Sequence, residues 1–314
     1  MAQTLATGPL SIGTAPLGGL YAPVTDADAR ATLEAAVAGG VTHFDTAPHY
    51  GRGLAEERLG AFLAVEDRAG ALTVSTKVGR HVRPLARRAA DDVFLGAPPG
   101  ESVFDFTPAG VRAQLDASRA RLRRDHVDVA LVHDPDDHLD AAPSAFEELA
   151  RQRDEGRVGA VGVGTNSAAV AHHLLDRVDL DVVLLAGRIT LLETSGESVA
   201  ARCAAAGISL LAAGVLQSGI LAGGAGDTYD YLPAPEPVRR RVAALRTVCE
   251  GHGATLHQVA INHPRRVPGV TTTLVGVRSP AEVAAALDAF ALDLPDTLWA
   301  AVDEVRARTG GDRE

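Results

Sequence analysis

Eight short apolar runs, each followed by a longer amphipathic segment, constrain this chain more than any other feature of its sequence. The runs are SIGTAPL (11–17), VTHFD (41–45), LTVSTK (72–77), VDVALVH (127–133), VGAVGVGT (158–165), LDVVLLA (180–186), ISLLAA (208–213) and TTTLVG (271–276). Runs of that length, rich in Val, Leu and Thr, read as strands buried on both faces. Helix-period segments separate them at 26–39, 54–64, 108–123, 142–155, 167–176, 194–206, 236–251 and 280–289. Thr25-Asp26, Thr107-Pro108 and Ser279-Pro280 supply helix start signals. Strands alternating with helices predict a parallel α/β sheet, and eight such pairs predict closure into a (β/α)8 TIM barrel. LPDTLWAAVDEVRART (294–309) reads as an added C-terminal helix, with Trp299 as a packing residue.

No composition shift or linker divides the 314 residues, so a single barrel domain over 1–314 is expected. A net charge of −10 argues against a nucleic-acid partner. No basic leader precedes an apolar run, and no stretch approaches the roughly 18 apolar residues of a membrane span, so a cytoplasmic protein is expected. Cys203 and Cys249 form no metal pattern and read as reduced structural thiols.

The chemistry gathers at strand ends. Asp45 closes VTHFD, Lys77 closes LTVSTK and His133 closes VDVALVH. In a barrel these ends line one mouth, and Tyr50, in the turn APHYG, can fold back over it. A phenol near pKa 10 trades protons poorly at neutral pH, and a nearby ammonium is expected to lower it. Asp45 would hold Lys77, and a neutral His133 would donate to a substrate oxygen. Such a set suits carbonyl–alcohol interconversion beside a nicotinamide. His43 lies deeper on the Asp45 face and reads as packed interior, His49 reads either as a substrate contact or as an exposed turn residue, and DPDD (134–137) reads as a solvated turn with Asp134 near the mouth. Thr46, Pro48 and Gly51 are expected to shape the turn.

HFDTAPHYG, VSTKVGR, LVHDPD and GVGTNS, in that order, resemble the signature blocks of the aldo-keto reductase superfamily. KVGRHVRP and LLAGRITLLE further resemble its aldose 1-dehydrogenase branch, which includes L-fucose, L-galactose and pyridoxal dehydrogenases. The resemblance implies Tyr50 as general acid/base, Lys77 as its pKa partner, Asp45 as the lysine's partner and His133 as the substrate-orienting group. It implies NAD or NADP across the barrel mouth, in keeping with the lack of a G-x-G-x-x-G opening a βα unit. Thr165 and Asn166 match the pair that holds the carboxamide. Gly13, Thr14 and Asp45 would border the cofactor on the early strands, with Gly214, Leu216 and Ser218 on the loop after the seventh. Ala186 and Ala213 stand where many relatives carry Gln and a stacking Tyr. Gly276, Arg278 and Glu282, in LVGVRSPAEV, would meet the adenine end. Arg278 suits a 2′-phosphate, whereas Glu282 suits a free ribose hydroxyl, a balance that favours NAD.

Long segments at 78–107 and 214–235 follow strand ends and are expected to wall the site. Tyr21, His49, Phe104, Phe106 and His133 are the substrate-side candidates, and Arg80, Arg83, Arg87 and Arg88 raise the option of an anionic substrate. The expected activity is oxidation of an aldose or pyridoxal-like hemiacetal to a lactone, with NADPH-dependent reduction of an aldehyde or ketone as the alternative. Two other classes stay open. One is a metal-dependent hydrolase barrel using His43, Asp45, Lys77 and His133, and the other a cofactor-binding regulatory subunit.

Overall fold

The computed structural model describes residues 7–67, 70–87, 92–223, 228–230 and 232–309. In chain order its elements are β1 (Leu10–Gly13), α1 (Asp26–Ala38), β2 (His43–Asp45), α2 (Leu54–Glu66), β3 (Thr73–Val78), β4 (Arg80–Pro84), β5 (Gly100–Phe104) and α3 (Pro108–Leu122). Then follow β6 (Val127–His133), α4 (Ala142–Asp154), β7 (Val158–Thr165), α5 (Ala168–Leu175), β8 (Val182–Ala186), α6 (Glu197–Ala206) and β9 (Ser209–Ala213). β10 (Thr228–Tyr229), β11 (Leu232–Pro233), α7 (Glu236–Gly251), α8 (Leu256–Asn262), β12 (Thr272–Gly276), α9 (Pro280–Phe290) and α10 (Asp296–Thr309) complete the chain. Eight strands close into a barrel in the order β1-β12-β9-β8-β7-β6-β3-β2, every pairing parallel.

Strand alternation divides the buried residues into two layers. Outward-facing Val74, Ala130, Val132, Val161, Val163, Val183, Leu185, Leu210 and Ala212 pack under the helices. Inward-facing Val129, Leu131, Ala160, Val182, Leu184, Leu211, Ala213 and Leu274 fill one side of the barrel. The opposite side, on β1 to β3, is polar: Ser11, His43, Asp45, Ser75 and Lys77 are all buried. Register aligns Gly13 with Asp45 and Asp45 with Ser75, so this polar half forms one connected band.

The three expected helix starts are real caps. The side chains of Thr25, Thr107 and Ser279 accept from the backbone N–H groups of Asp28, Gly110 and Glu282. Trp299 is buried in a second apolar cluster with Leu245, Val259 and Leu298, which docks the C-terminal helix. Both cysteines are free and buried.

Three expectations need correction. The first strand ends at Gly13 rather than at residue 17, because Ala15–Gly18 turn into a short 3₁₀ segment with Pro16 inside it. Pro16 has no N–H to give a ladder. The helix α8 was not foreseen, although Thr255 and Gln258 form a complete capping box at its start. The long segments are not plain loops: β4 and β5 pair as an antiparallel hairpin, and β10 pairs with β11. Arg88 and the Gly224–Asp227 part of the second segment lie outside the described residues. No described helix is long and apolar enough to cross a membrane.

Candidate active site

Lys77 Nζ donates to Asp45 Oδ2 at 2.6 Å and to the Thr46 carbonyl at 2.8 Å. The two side chains are only 1% and 2% exposed, so this is a buried ion pair. Asp45 Oδ1 accepts from Ser75 Oγ at 2.6 Å. Because that hydroxyl uses its proton on Asp45, it accepts from His43 Nε2, 3.1 Å away. Ser11 Oγ sits 2.9 Å from the other ring nitrogen. His43 is thus an interior histidine, kept neutral with its pKa pushed down to about 4, chiefly by burial. Neither serine stood out in the sequence, since a small polar residue on a strand carries no pattern of its own.

The Lys77 ammonium lies 4.6 Å from the centre of the Tyr50 ring. Tyr50 is carried there by a turn that packs backbone against backbone. A Cβ on Gly18 would stand 2.8 Å from the Tyr50 carbonyl carbon, and Gly51 takes φ +62. Arg52, also left-handed at φ +54, forms a bidentate pair with Asp92 at 3.1 and 2.5 Å. That pair fastens the tyrosine turn to the segment leading into β5.

His133 ends β6 with its ring edge-on to Tyr50, centroids 6.0 Å apart. Burial, then Lys77, Arg80 and His49, hold its pKa well below the usual histidine value, so the ring is neutral. His49 packs against His133 at 6.0 Å and Phe94 at 5.2 Å, with its Nδ1 2.7 Å from Ser102 Oγ. Its pKa is pushed down to about 3, first by burial and then by Arg80. His49 is therefore a second neutral ring at the mouth rather than a solvent-facing turn residue.

The expected depression of the Tyr50 pKa is overturned. Burial, with Asp45 and Asp134 adding to it, pushes the phenol well above its ordinary value, and only Arg80 opposes. Lys77 does not offset this, because its charge is balanced by Asp45 at 2.6 Å. The protein holds Tyr50 as a phenol.

Beside this cluster runs a cleft of about 890 Å³. It starts at Asp45, Tyr50 and Tyr21 and is bordered by Gly13, Gly214, Leu216, Ser218, Gly276, Arg278 and Glu282. Ala186 and Ala213 line it too, leaving room where longer side chains would intrude. Gln217 and Ser218 both take left-handed backbone, at φ +48 and +55, ahead of Gly219 at +101. Gln217 is buried, and its Oε1 has no hydrogen-bond partner among the described residues. A cleft bordered by bare glycine backbone fits a dinucleotide, whose phosphates need such partners. Gln217 was missed because its value comes from the turn, held by Asp230 at 3.2 Å, rather than from a strand end.

Other expected residues make contacts of their own around the site. Thr14 donates to the Asp45 carbonyl at 3.0 Å and so braces β2. Thr165 donates to Asp136 at 3.0 Å and accepts from Ser167 N–H, while Asn166 is exposed. Neither Thr165 nor Asn166 lines the cleft. Phe106 is buried, and Phe104 stacks on it at 5.8 Å and meets the tilted ring of His138 at 4.5 Å. DPDD is no free turn: Asp134 pairs with Arg80 and Asp136 holds Thr165. Among the described residues no three His, Cys, Asp or Glu side chains come together to hold a metal ion.

The chain is similar to known proteins in sequence and fold. The aldo/keto reductase family model matches residues 9–307. D-threo-aldose 1-dehydrogenase from Pseudomonas sp is 37% identical, covering 97% of this chain and 96% of that protein. Pyridoxal 4-dehydrogenase from Microbacterium luteolum is 35% identical over 92% and 91%. The solved glycerol dehydrogenase from Gluconobacter oxydans superposes with a TM-score of 0.78 at 25% identity, covering 97% of this chain and 93% of that one. A closed barrel, a buried lysine–aspartate pair under a tyrosine and a family match over almost the whole length agree: the chain belongs to the aldo/keto reductase family and is a nicotinamide-dependent oxidoreductase.

Proposed function

We propose that this enzyme oxidises the anomeric carbon of an aldose, in its cyclic hemiacetal form, to a lactone. The observation that carries this is the Asp45–Lys77–Tyr50–His133 cluster at one end of the cleft. The names of the two relatives, an aldose 1-dehydrogenase and a pyridoxal 4-dehydrogenase, support oxidation as the direction. Bound in the cleft, the nicotinamide would supply the two-electron acceptor. Tyr50 Oη takes the hydroxyl proton as the C–O bond becomes a carbonyl, and neutral His133 holds that oxygen by a hydrogen bond. Lys77, fixed by Asp45, sets the ring position of Tyr50. Gln217, Ser218 and the glycine backbone of the cleft wall would hold the cofactor.

Glu282 supports NAD over NADP. Its carboxylate accepts the Arg278 backbone N–H at 2.9 Å and pairs with the guanidinium at 3.3 Å. Arg278 is thereby neutralised, and a 2′-phosphate would meet the carboxylate. The test follows absorbance of the reduced cofactor with a panel of aldoses, pyridoxal and simple aldehydes. Aldose oxidation with NAD at least about tenfold above NADP is expected, a difference near 1.4 kcal/mol. An enzyme that reduces aldehydes but oxidises no hemiacetal contradicts the proposal.

The raised Tyr50 pKa gives a distinct pH signature. Oxidation needs the phenolate, whose fraction rises about tenfold per pH unit below the pKa. Reduction needs the phenol, which is already present throughout the neutral range. Rates extrapolated to saturating substrate should therefore climb with unit log slope for oxidation between about pH 7 and pH 9, and stay flat for reduction. His133 is neutral well below that window, so it adds no acid limb there. An oxidation profile that levels off near pH 7 contradicts a phenol held this high.

A further inference from the structure

One charged pair at the mouth is not used by the chemistry above. Arg80, at the start of β4, meets Asp134, the first residue after β6, at 2.7 Å. The same Asp134 oxygen lies 3.5 Å from His133 Nε2, so the pair borders the ring that would orient the substrate. Both side chains are partly covered, 23% and 33% exposed, and so are reachable without being free surface.

The backbone holds this placement. Asp134 takes φ +46, a left-handed conformation unfavourable for a residue with a Cβ, and its N–H is tied to the Gly164 carbonyl at 2.8 Å. Arg80 is steadied over the Phe104 ring, 5.4 Å from its centre. Its Nε is buried and has no hydrogen-bond partner among the described residues.

A lone arginine here would attract anionic substrates. Paired to Asp134, it has no net charge to offer, so the anionic-substrate option weakens for Arg80. What the pair presents is a carboxylate acceptor beside guanidinium donors. Adjacent ring hydroxyls, each able to donate and accept, match that presentation.

We infer that Arg80 and Asp134 form the specificity element of this enzyme, binding vicinal hydroxyls next to the reacting carbon and rejecting carboxylated analogues. The inference rests on the proposed hemiacetal oxidation. Its test compares three hemiacetals on Asp134→Asn and wild-type enzyme: a neutral aldohexose, the corresponding hexuronic acid, and 2-hydroxytetrahydropyran, which lacks the other hydroxyls. In the variant, kcat/KM for the aldohexose should fall about thirtyfold relative to 2-hydroxytetrahydropyran, mainly through KM. Preference for the uronic acid over the aldohexose should rise at least about tenfold, because Arg80 is left uncompensated. Asp134→Gly, which suits left-handed backbone, serves as the second variant should the first fold poorly. Equal losses on the aldohexose and 2-hydroxytetrahydropyran overturn the inference, as does an unchanged uronic acid preference. If wild-type enzyme oxidises 2-hydroxytetrahydropyran but no aldose, this inference fails, and of the proposed function only hemiacetal oxidation stands, without the aldose. If it oxidises neither, the proposed function falls and takes the inference with it.

Discussion

Tyr50→Phe is expected to lower kcat about a thousandfold, in oxidation and reduction alike, while cofactor binding changes little. The substitution removes one oxygen and keeps the ring that Lys77 faces at 4.6 Å and His133 meets edge-on at 6.0 Å. Packing is therefore preserved, and the Gly18–Gly51 contact that positions the turn is backbone only. What is lost is the sole phenol close to both His133 and Lys77 among the described residues. Equal proportional losses in both directions are required, because one group gives and takes the same proton. Binding of reduced cofactor, followed by quenching of its fluorescence, separates this from a damaged cleft. Turnover within about tenfold of wild type would remove Tyr50 from the mechanism, leaving His133 as the candidate proton carrier.

The strand ends were legible because two independent patterns coincide there. Apolar runs mark the strands, and a polar residue of unusual type closes β2 and β6 and stands one residue before the end of β3, which runs on to Val78. Topology then brings Asp45, Lys77 and His133 together without any knowledge of distances. The hairpin of β4 and β5 was not legible, because RHVRP and GESVF alternate weakly and meet across a break of 15 residues. Their pairing is fixed by side chains from other segments, His49 on Ser102 and Arg52 on Asp92. Gln217 was hidden for a related reason: its burial depends on a turn whose left-handed backbone the sequence LQSG does not announce. The Tyr50 pKa could not be read from residue types at all. Lysine beside tyrosine suggests a lowered value, yet the geometry neutralises that lysine with Asp45 and leaves burial in control. Sign, here, depended on what one charge is paired with.

Breaking the buried ion pair should cost stability and activity by separable routes. Asp45→Asn leaves the Lys77 ammonium almost fully buried, with the Thr46 carbonyl and an amide in place of a carboxylate. Loss of one partner of such a pair typically costs about 3–5 kcal/mol. Lys77→Met leaves the opposite fault, a buried carboxylate still holding the Ser75 hydroxyl at 2.6 Å. The double variant Asp45→Asn/Lys77→Met removes both charges and should recover much of the loss, giving a coupling energy of about 2 kcal/mol or more in denaturant titrations. Activity should not follow stability. Without the Lys77 side chain 4.6 Å from its ring centre, Tyr50 loses the group that fixes its position. The double variant is therefore expected to fold nearly as well as wild type yet turn over at least about a hundredfold more slowly. Additive destabilisation would show that the two charges are not coupled in the folded protein, against their 2.6 Å contact. Recovered turnover would show that Lys77 is there for the fold alone, and would leave the phenol of Tyr50 to work with His133 only.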